Sequence, residues 1–222
     1  MRALLIAAAP VEGSVTLVAE LATQCDLVIA VDGGGAVCLE AGVAPDVVLG
    51  DFDSLDAAAL QELSAGGSRV VRFPAHKDRT DLELAVDEAR SAGASEIVLT
   101  CASSGRLDHT LAAIATLLAN PDLRPRLAEP DVTGWILSLE GRPHIVLHGR
   151  GATVSLLAVS EPAVVSASGV EWPLDRFEIE PGSGLGASNV IADEAGADIA
   201  VAGGTLLVLA PCVPGTPRAS EV

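Results

Sequence analysis

Two aspartates stand two residues apart in the motif Gly50-Asp51-Phe52-Asp53-Ser54, directly after the short apolar run at residues 47–49. An apolar run of this length that ends at a glycine is typical of a buried strand, so both carboxylates are expected where that strand ends. If the strand geometry continues, Asp51 and Asp53 leave the same face and Phe52 points the other way. Two carboxylates about 4 Å apart repel each other by about 4 kcal/mol at an effective dielectric constant of about 20. A shared divalent cation would relieve that repulsion, and oxygen ligands alone favour magnesium, manganese or calcium over zinc.

Three further polar segments also follow predicted strands. They are Asp32-Gly33-Gly34-Gly35, His76-Lys77-Asp78-Arg79-Thr80-Asp81 and Ser103-Ser104-Gly105-Arg106-Leu107-Asp108-His109. Strands and helices alternate from residue 3 to residue 119, which predicts βαβ units and a parallel sheet. In an open sheet of this kind ligands bind beyond the carboxyl ends of the strands, so we expect all four segments to converge on one edge.

Several of these residues also have ordinary structural explanations. Gly33 and Gly34 fit a tight turn between strand and helix, although glycines also let backbone N–H groups approach a phosphate. Thr80 and Glu83 fit a capping box at the start of a helix, and this role does not exclude the neighbouring Asp81 from metal binding. Both explanations stay open from the sequence alone.

Asp108, Arg106 and Lys77 also have both a structural and a functional explanation. Asp108 fits a helix cap, but the adjacent Arg106 can hold phosphate oxygens with two parallel hydrogen bonds. Lys77 fits either an exposed surface position or a phosphate contact. An aspartate-rich edge with one arginine and one lysine suits phosphoryl transfer, in which the protein positions groups and neutralises charge.

The composition excludes several classes of function. The chain has 222 residues with 13 basic and 30 acidic side chains, a net charge of −17, which argues against a nucleic-acid partner. No apolar run approaches the length that spans a membrane. The four cysteines are scattered, which indicates reduced thiols in a cytoplasmic protein. The phosphate-binding Walker motif, the dinucleotide fingerprint and a covalent nucleophile motif are all absent from the sequence.

The pattern changes near residue 120. Residues 121–134 have no clear period, and residues 135–212 contain short apolar runs separated by turn residues, which predicts a β-sandwich or barrel. We therefore expect an N-terminal Rossmann-like parallel-sheet domain at 1–120, a linker at 121–134, an all-β domain at 135–212 and a polar tail at 213–222.

These motifs together resemble the thiamine pyrophosphokinase family. The resemblance rests on Asp32-Gly33-Gly34, Gly50-Asp51-Phe52-Asp53-Ser54, Asp78-Arg79-Thr80-Asp81, Gly105-Arg106-Leu107-Asp108-His109, Gly169-Val170-Glu171-Trp172-Pro173-Leu174 and Gly186-Ala187-Ser188-Asn189. It implies an enzyme that transfers a pyrophosphoryl group from ATP to the hydroxyl of thiamine and releases AMP. It also implies magnesium and a homodimer in which thiamine lies between the α/β domain of one subunit and the β domain of the other.

The resemblance also assigns roles to individual residues. The metal-associated carboxylates would be Asp51, Asp53 and Asp81, and these three with Asp108 form the predicted catalytic set. The nucleotide would be bound by Asp32, Gly33, Gly34, Lys77, Thr80 and Arg106. Thiamine would be bound by Trp172, Ser188 and Asn189, although core packing is the usual role of a tryptophan.

Two alternatives remain at this stage. The chain could be a pyrophosphokinase for another alcohol, such as a hydroxymethylpterin, or a non-catalytic module that binds a magnesium nucleotide. A purely structural α/β protein would not collect so many polar residues at one edge. The proton acceptor also stays open between Asp81 and Asp108.

Overall fold

The computed structural model describes residues 1–75, 78–103, 105–212 and 220–221. The chain forms two compact units. The first comprises Met1–Thr116 with Ala128–Pro130, and the second comprises Leu117–Leu127 with Asp131–Val222.

Strands and helices alternate along the N-terminal half. In chain order they are β1 (Arg2–Ile6), α1 (Ser14–Ala22), β2 (Leu27–Val31), α2 (Gly34–Glu40), β3 (Val47–Gly50), α3 (Ala57–Ala65), β4 (Arg69–Arg72), α4 (Asp81–Ser91), β5 (Glu96–Thr100) and α5 (Leu107–Leu118). The five strands are parallel and lie in the order β5-β1-β2-β3-β4. The predicted parallel α/β sheet is thereby confirmed.

Burial explains why these short runs form the centre of the sheet. In β1 and β2 every residue after the first is buried, and in β3 every residue is buried. Strand β4, at the edge of the sheet, is exposed at both ends. Helices α1, α2 and α3 contribute Val18, Val37 and Leu63 to one apolar cluster with Leu4 of β1. Helix α4 packs against β1, β2 and β3. Strands covered on both faces need continuous apolar sequence, which is what the sequence shows.

The second unit consists mainly of antiparallel strands. After a 3-10 helix (Pro121–Leu123) and β6 (Arg126–Ala128), which crosses the boundary of the units, the strands are β7 (Val132–Leu137), β8 (His144–His148), β9 (Thr153–Ala158), β10 (Ala163–Ser168), β11 (Leu174–Ile179), β12 (Asn189–Val190), β13 (Ala197–Gly203), β14 (Leu206–Pro211) and β15 (Ser220–Glu221). One antiparallel group has the order β12-β9-β14-β7, and a separate sheet has the order β11-β10-β13-β8-β15.

The two groups of strands share one core. Val154 and Leu156 of β9 belong to the same buried cluster as Val165 of β10 and Ile199 of β13. Buried and partly exposed positions alternate along β9, as expected where one face packs inward and the other faces solvent. The prediction of a C-terminal β-sandwich or barrel is confirmed in the form of antiparallel strands around one core.

Two segments differ from the sequence-based expectation. Residues 121–134, for which no regular structure was expected, contain the 3-10 helix, β6 and the first residues of β7. A three-residue strand is too short to show a period of two, which is why the sequence did not reveal β6. Within the predicted tail, Ser220 and Glu221 form β15, which pairs with β8.

None of the helices among the described residues combines the length and the apolar character that crossing a membrane requires.

Candidate active site

The carboxyl group of Asp32 lies against the end of β3. Asp32 follows β2 directly and has a left-handed backbone with φ 47°. Its N–H donates to the carbonyl oxygen of Leu49 at 2.9 Å, and its Oδ1 accepts the N–H of Phe52 at 3.1 Å. A Cβ added to Gly50 would lie 1.9 Å from that Oδ1. Glycine at position 50 therefore leaves the space that the Asp32 carboxyl group occupies.

The turn after β3 orients Asp51 and Asp53. Strand β3 ends at Gly50, and Phe52 adopts a left-handed backbone with φ 63°. The N–H of Asp53 donates to Oδ1 of Asp51 at 3.1 Å. The strand geometry considered for this segment therefore does not continue to Asp53. The two carboxylates meet because of a turn, and not because alternate residues of a strand share a face.

Three carboxylates come together at this point. Oxygens of Asp32, Asp51 and Asp53 all lie within 4.8 Å of one another. Burial raises the pKa of Asp32 to about 6, the hydrogen bond from Phe52 opposes the rise, and the nearby charges of Asp81, Asp51 and Asp53 add to it. Asp32, which the sequence assigned to nucleotide binding, thus lies with Asp51 and Asp53 of the predicted metal-associated residues, whereas Asp81 is not part of this group of three. Such a set of hard oxygen donors fits magnesium, manganese or calcium.

The first residue of helix α4, Asp81, lies close enough to this cluster for its charge to raise the pKa of Asp32. Oγ1 of Thr80 accepts the N–H of Glu83 at 3.2 Å, and Oε2 of Glu83 accepts the N–H of Thr80 at 2.7 Å, so the predicted capping box is present. Asp81 is the first residue of the helix, where a carboxylate also interacts favourably with the helix dipole. The capping role of Thr80 uses its hydroxyl, and its predicted nucleotide contact stays a prediction. Lys77 lies outside the described residues.

Arg106 and Asp108 bind each other. Nη2 of Arg106 lies 2.6 Å from Oδ2 of Asp108, and its Nε donates to Oδ1 at 3.2 Å. The hydrogen bond and the charge of the guanidinium lower the pKa of Asp108 to about 2. Both side chains are about two-thirds exposed, at 68% and 65%, so solvent screens the pair and either group can exchange its partner.

The two glycines after Asp32 have specific packing. The N–H of Gly33 donates to Oγ of Ser54 at 3.1 Å. A Cβ on Gly34 would lie 2.0 Å from the carbonyl oxygen of Ile6. The tight-turn explanation therefore accounts for Gly34, while phosphate contacts of Gly33 and Gly34 stay predictions.

In the second unit, Trp172, Ser188 and Asn189 are in contrasting environments. Trp172 is 60% exposed, so it is not a core tryptophan, whereas Asn189 is 4% exposed. The N–H of Trp172 donates to Oδ1 of Asn189 at 3.1 Å, and Nδ2 of Asn189 donates to the carbonyl oxygen of Trp172 at 2.8 Å. Ser188 is exposed with φ 58°, and its N–H donates to Oγ of Ser155 at 3.0 Å.

Two residues that the sequence analysis missed contact the loops of the first unit. Arg72, at the end of β4, donates from Nη1 to the carbonyl oxygen of Asp51 at 2.9 Å. Glu129 is 3% exposed, and its Oε1 accepts the N–H of Ala102 in the loop after β5 at 2.7 Å. Neither residue belongs to a motif, and each reaches its partner only through the tertiary fold.

The fold and the site define an α/β protein with a carboxylate cluster at the carboxyl edge of a parallel sheet, followed in sequence by a β-sandwich unit. Two family models match this chain. "Thiamin pyrophosphokinase, catalytic domain" matches residues 18–126, and "Thiamin pyrophosphokinase, vitamin B1 binding domain" matches residues 144–206. The chain belongs to the thiamine pyrophosphokinase family.

Individual relatives agree with this assignment. The chain is 28% identical to thiamine pyrophosphokinase of Bacillus subtilis over 170 residues, which is 76% of this chain and 79% of the relative. It is 28% identical to thiamine pyrophosphokinase 2 of Arabidopsis thaliana over 159 residues, 68% of this chain, and spans only 60% of the length of that plant relative.

Solved structures show the same fold. The crystal structure of thiamine pyrophosphokinase from Bacillus subtilis superposes with a TM-score of 0.80 at 25% identity, covering 96% of this chain and 100% of that chain. The enzyme from Geobacillus thermodenitrificans superposes with a TM-score of 0.78 at 26% identity, covering 97% and 100%.

Proposed function

We propose that this protein is a thiamine pyrophosphokinase, which transfers a pyrophosphoryl group from ATP to the hydroxyl of thiamine and releases AMP. The observation that carries the proposal is that both parts of the family occur in one chain, while the first part gathers the carboxylates of Asp32, Asp51 and Asp53 within 4.8 Å. The other candidates, a pyrophosphokinase for another alcohol and a non-catalytic nucleotide-binding module, are not favoured by these matches.

The proposal divides the work between the two parts of the chain. Residues 1–120 bind ATP and magnesium, residues 135–212 bind thiamine, and residues 121–134 connect them. The family models support this division, because the catalytic model ends at residue 126 and the vitamin B1 binding model begins at residue 144.

Asp51, Asp53 and Asp81 would hold magnesium, and Asp32 extends this set. The crowding of Asp32 with three other carboxylates, which contributes to its raised pKa, supports a cation at this point because a positive charge would relieve the repulsion. When bound, magnesium supplies charge neutralisation on the phosphates and polarises the phosphoryl group under attack.

Arg106 and Lys77 are proposed to face the phosphates, with Thr80, Gly33 and Gly34 as further contacts. Arg106 must exchange Asp108 for phosphate oxygens, and the exposure of the pair makes that exchange easy.

The hydroxyl of thiamine must lose a proton as it attacks. The two candidate proton acceptors are Asp81, at the first position of α4, and Asp108, whose carboxylate is released when Arg106 turns to the phosphates.

Thiamine is proposed to bind at the exposed indole of Trp172, next to Ser188 and with the support of Asn189. The thiazolium ring of thiamine is permanently cationic, and a chain with a net charge of −17 attracts it. A homodimer with shared active sites and a cytoplasmic location complete the proposal. The family resemblance supports the homodimer. The four cysteines, which are free thiols in the structure, support the cytoplasmic location.

A turnover assay tests the proposal. The full chain is incubated with ATP, magnesium and a panel of alcohols that includes thiamine and a hydroxymethylpterin, and AMP and ADP are separated by chromatography. AMP that appears only with thiamine is expected. AMP with another alcohol alone, ADP in place of AMP, or no turnover would each overturn the assignment.

A matched pair of variants connects the reaction to the cluster. Asp53→Asn removes one carboxylate charge of the cluster and should abolish AMP formation. Asp56→Asn, three residues later, keeps the cap of α3, because asparagine caps helices as well as aspartate does. It should retain the activity of the unmodified protein, and equal activity of both variants would remove Asp53 from the site.

A further inference from the structure

One peptide group in the turn after β3 is held at both of its ends by side chains. The carbonyl oxygen of Asp51 accepts a hydrogen bond from Nη1 of Arg72 at 2.9 Å. The N–H of Phe52, in the same peptide group, donates to Oδ1 of Asp32 at 3.1 Å. Arg72 is the last residue of β4 and Asp32 follows β2, and these two strands lie on either side of β3. The turn is therefore hydrogen-bonded from both neighbouring strands.

Strand register brings both side chains to this turn. In the parallel pairing of β3 with β4, Gly50 stands opposite Arg72, and the N–H of Phe73 donates to the carbonyl oxygen of Gly50 at 2.9 Å. On the other side, Val31 of β2 stands opposite Leu49. The residues that follow β2, β3 and β4 therefore meet at one level of the sheet.

The held peptide group precedes a strained residue. Phe52 has φ 63°, a left-handed conformation that costs roughly 1–2 kcal/mol for a residue with a side chain. The guanidinium of Arg72 also lies 4.8 Å from the centroid of the Phe52 ring, a cation–π contact. Arg72 thus holds Phe52 through its ring and, by the hydrogen bond to Asp51, through the peptide group before it.

The geometry points to Arg72 as a positioning residue of the cation site: it fixes the Asp51–Phe52 peptide group and thereby keeps the carboxylates of Asp51 and Asp53 together. This inference rests on the cation site of the proposed function. Rotation of the peptide group would break the hydrogen bond of the Phe52 N–H to Oδ1 of Asp32 and release the turn in which Asp51 and Asp53 stand. Lysine can replace the charge of Arg72, but it lacks the planar guanidinium that stacks on a ring and donates a hydrogen bond at the same time.

The sign of the effect separates positioning from simple electrostatics. Arg72 is positively charged, so Coulomb repulsion alone predicts that its removal would strengthen the binding of a cation. Positioning predicts the opposite, because a partner that orients the ligands of a metal ion raises the affinity for that ion.

The experiment measures manganese binding to the full chain without nucleotide, by calorimetry and by electron paramagnetic resonance. Arg72→Ala should weaken manganese binding by about tenfold or more, as outer-shell substitutions commonly do. Arg72→Lys should recover only part of the affinity. Arg69→Ala is the matched control, because Arg69 lies on the same strand, is exposed and pairs with Glu88, and it should leave the affinity unchanged.

The outcomes distinguish this inference from the proposed function. If Arg72→Ala binds manganese as tightly as the unmodified protein, or more tightly, the positioning role is overturned while the cation site stands. If the unmodified protein binds no manganese, the cation site of the proposed function fails first. A thermal unfolding curve of each variant, with the same midpoint in the absence of metal for Arg72→Ala and Arg69→Ala, shows that lost affinity is not lost folding.

Discussion

Asn189 forms hydrogen bonds to both polar backbone groups of Trp172, at 3.1 Å to its N–H and at 2.8 Å to its carbonyl oxygen. Oδ1 of Asn189 also accepts the N–H of Val190 at 2.9 Å. The buried side-chain amide of Asn189 therefore hydrogen-bonds to backbone groups of Trp172 and Val190. These bonds hold the segment that carries the exposed indole of Trp172. We infer that Asn189 supports thiamine binding by holding Trp172 in place.

Replacing Asn189 by alanine should weaken thiamine binding more than ATP binding. The substitution leaves partly buried backbone groups of Trp172 and Val190 without this side-chain partner, and each lost hydrogen bond of this kind costs about 0.5–1.5 kcal/mol. The KM values for thiamine and ATP and the free energy of unfolding are measured together.

The control for this change is Thr205→Ala, which removes another hydrogen bond of a buried polar group in the β-sandwich, to Glu161 at 3.0 Å. It should lower stability without a selective rise in the KM for thiamine. If both variants change the two KM values alike, Asn189 serves stability alone.

Trp172→Ala should reduce thiamine affinity and leave ATP affinity unchanged, because the indole is 60% exposed and free to stack on a ring. The chain has two tryptophans, and Trp135 is buried at 2% exposure, so thiamine should quench the emission of Trp172. A titration followed by fluorescence and by calorimetry measures this. Phe177→Ala removes another exposed aromatic of the same unit, and a matching loss of thiamine affinity in that variant would count against a specific role of Trp172.

Gly50→Ala should displace the Asp32 carboxyl group, because the added Cβ would lie 1.9 Å from its Oδ1. We expect manganese affinity and AMP formation to fall together, the affinity by about tenfold or more. Gly67→Ala provides the control, because Gly67 also has a positive φ, 102°, but its added Cβ meets nothing within 4 Å. Equal behaviour of the two variants would show that backbone strain, and not the collision with Asp32, causes the loss.

Glu83→Gln should change how stability depends on pH. Hydrogen bonds from the N–H and the hydroxyl of Thr80, with the nearby Arg79 guanidinium, lower the pKa of Glu83. A carboxyl group with a lowered folded pKa stabilises the protein above its unfolded pKa, and this contribution is lost as the pH falls through the folded value. The free energy of unfolding of the native chain should therefore exceed that of the variant by roughly 0.5 kcal/mol at neutral pH, and the difference should shrink as the pH falls below the unfolded pKa of a glutamate, about 4.3.

Urea unfolding at several pH values measures this difference, with the exposed Glu12→Gln as the control. A difference in the free energy of unfolding between the native chain and Glu83→Gln that does not change as the pH falls from neutral to well below about 4.3 would contradict the assignment of the ionised carboxylate to the helix cap.

The sequence by itself determined the two-part fold and the residues that follow each strand. These features are local: short apolar runs mark buried strands, and the aspartates and glycines after them mark the carboxyl edge of the sheet. The capping box of Thr80 and Glu83 was predictable for the same reason, because its partners are three residues apart. Strand β6 escaped prediction because three residues show no period.

Only the tertiary structure decided which of these groups touch. The contact of Arg72 with the Asp51 carbonyl depends on β4 lying beside β3 in one register, and the place of Asp32 depends on β2 lying on the other side. The hydrogen bonds between Asn189 and Trp172 likewise join residues 17 positions apart in the chain. Contacts of this kind follow from strand order and register, which arise when distant segments pack, so no local pattern in the chain can specify them.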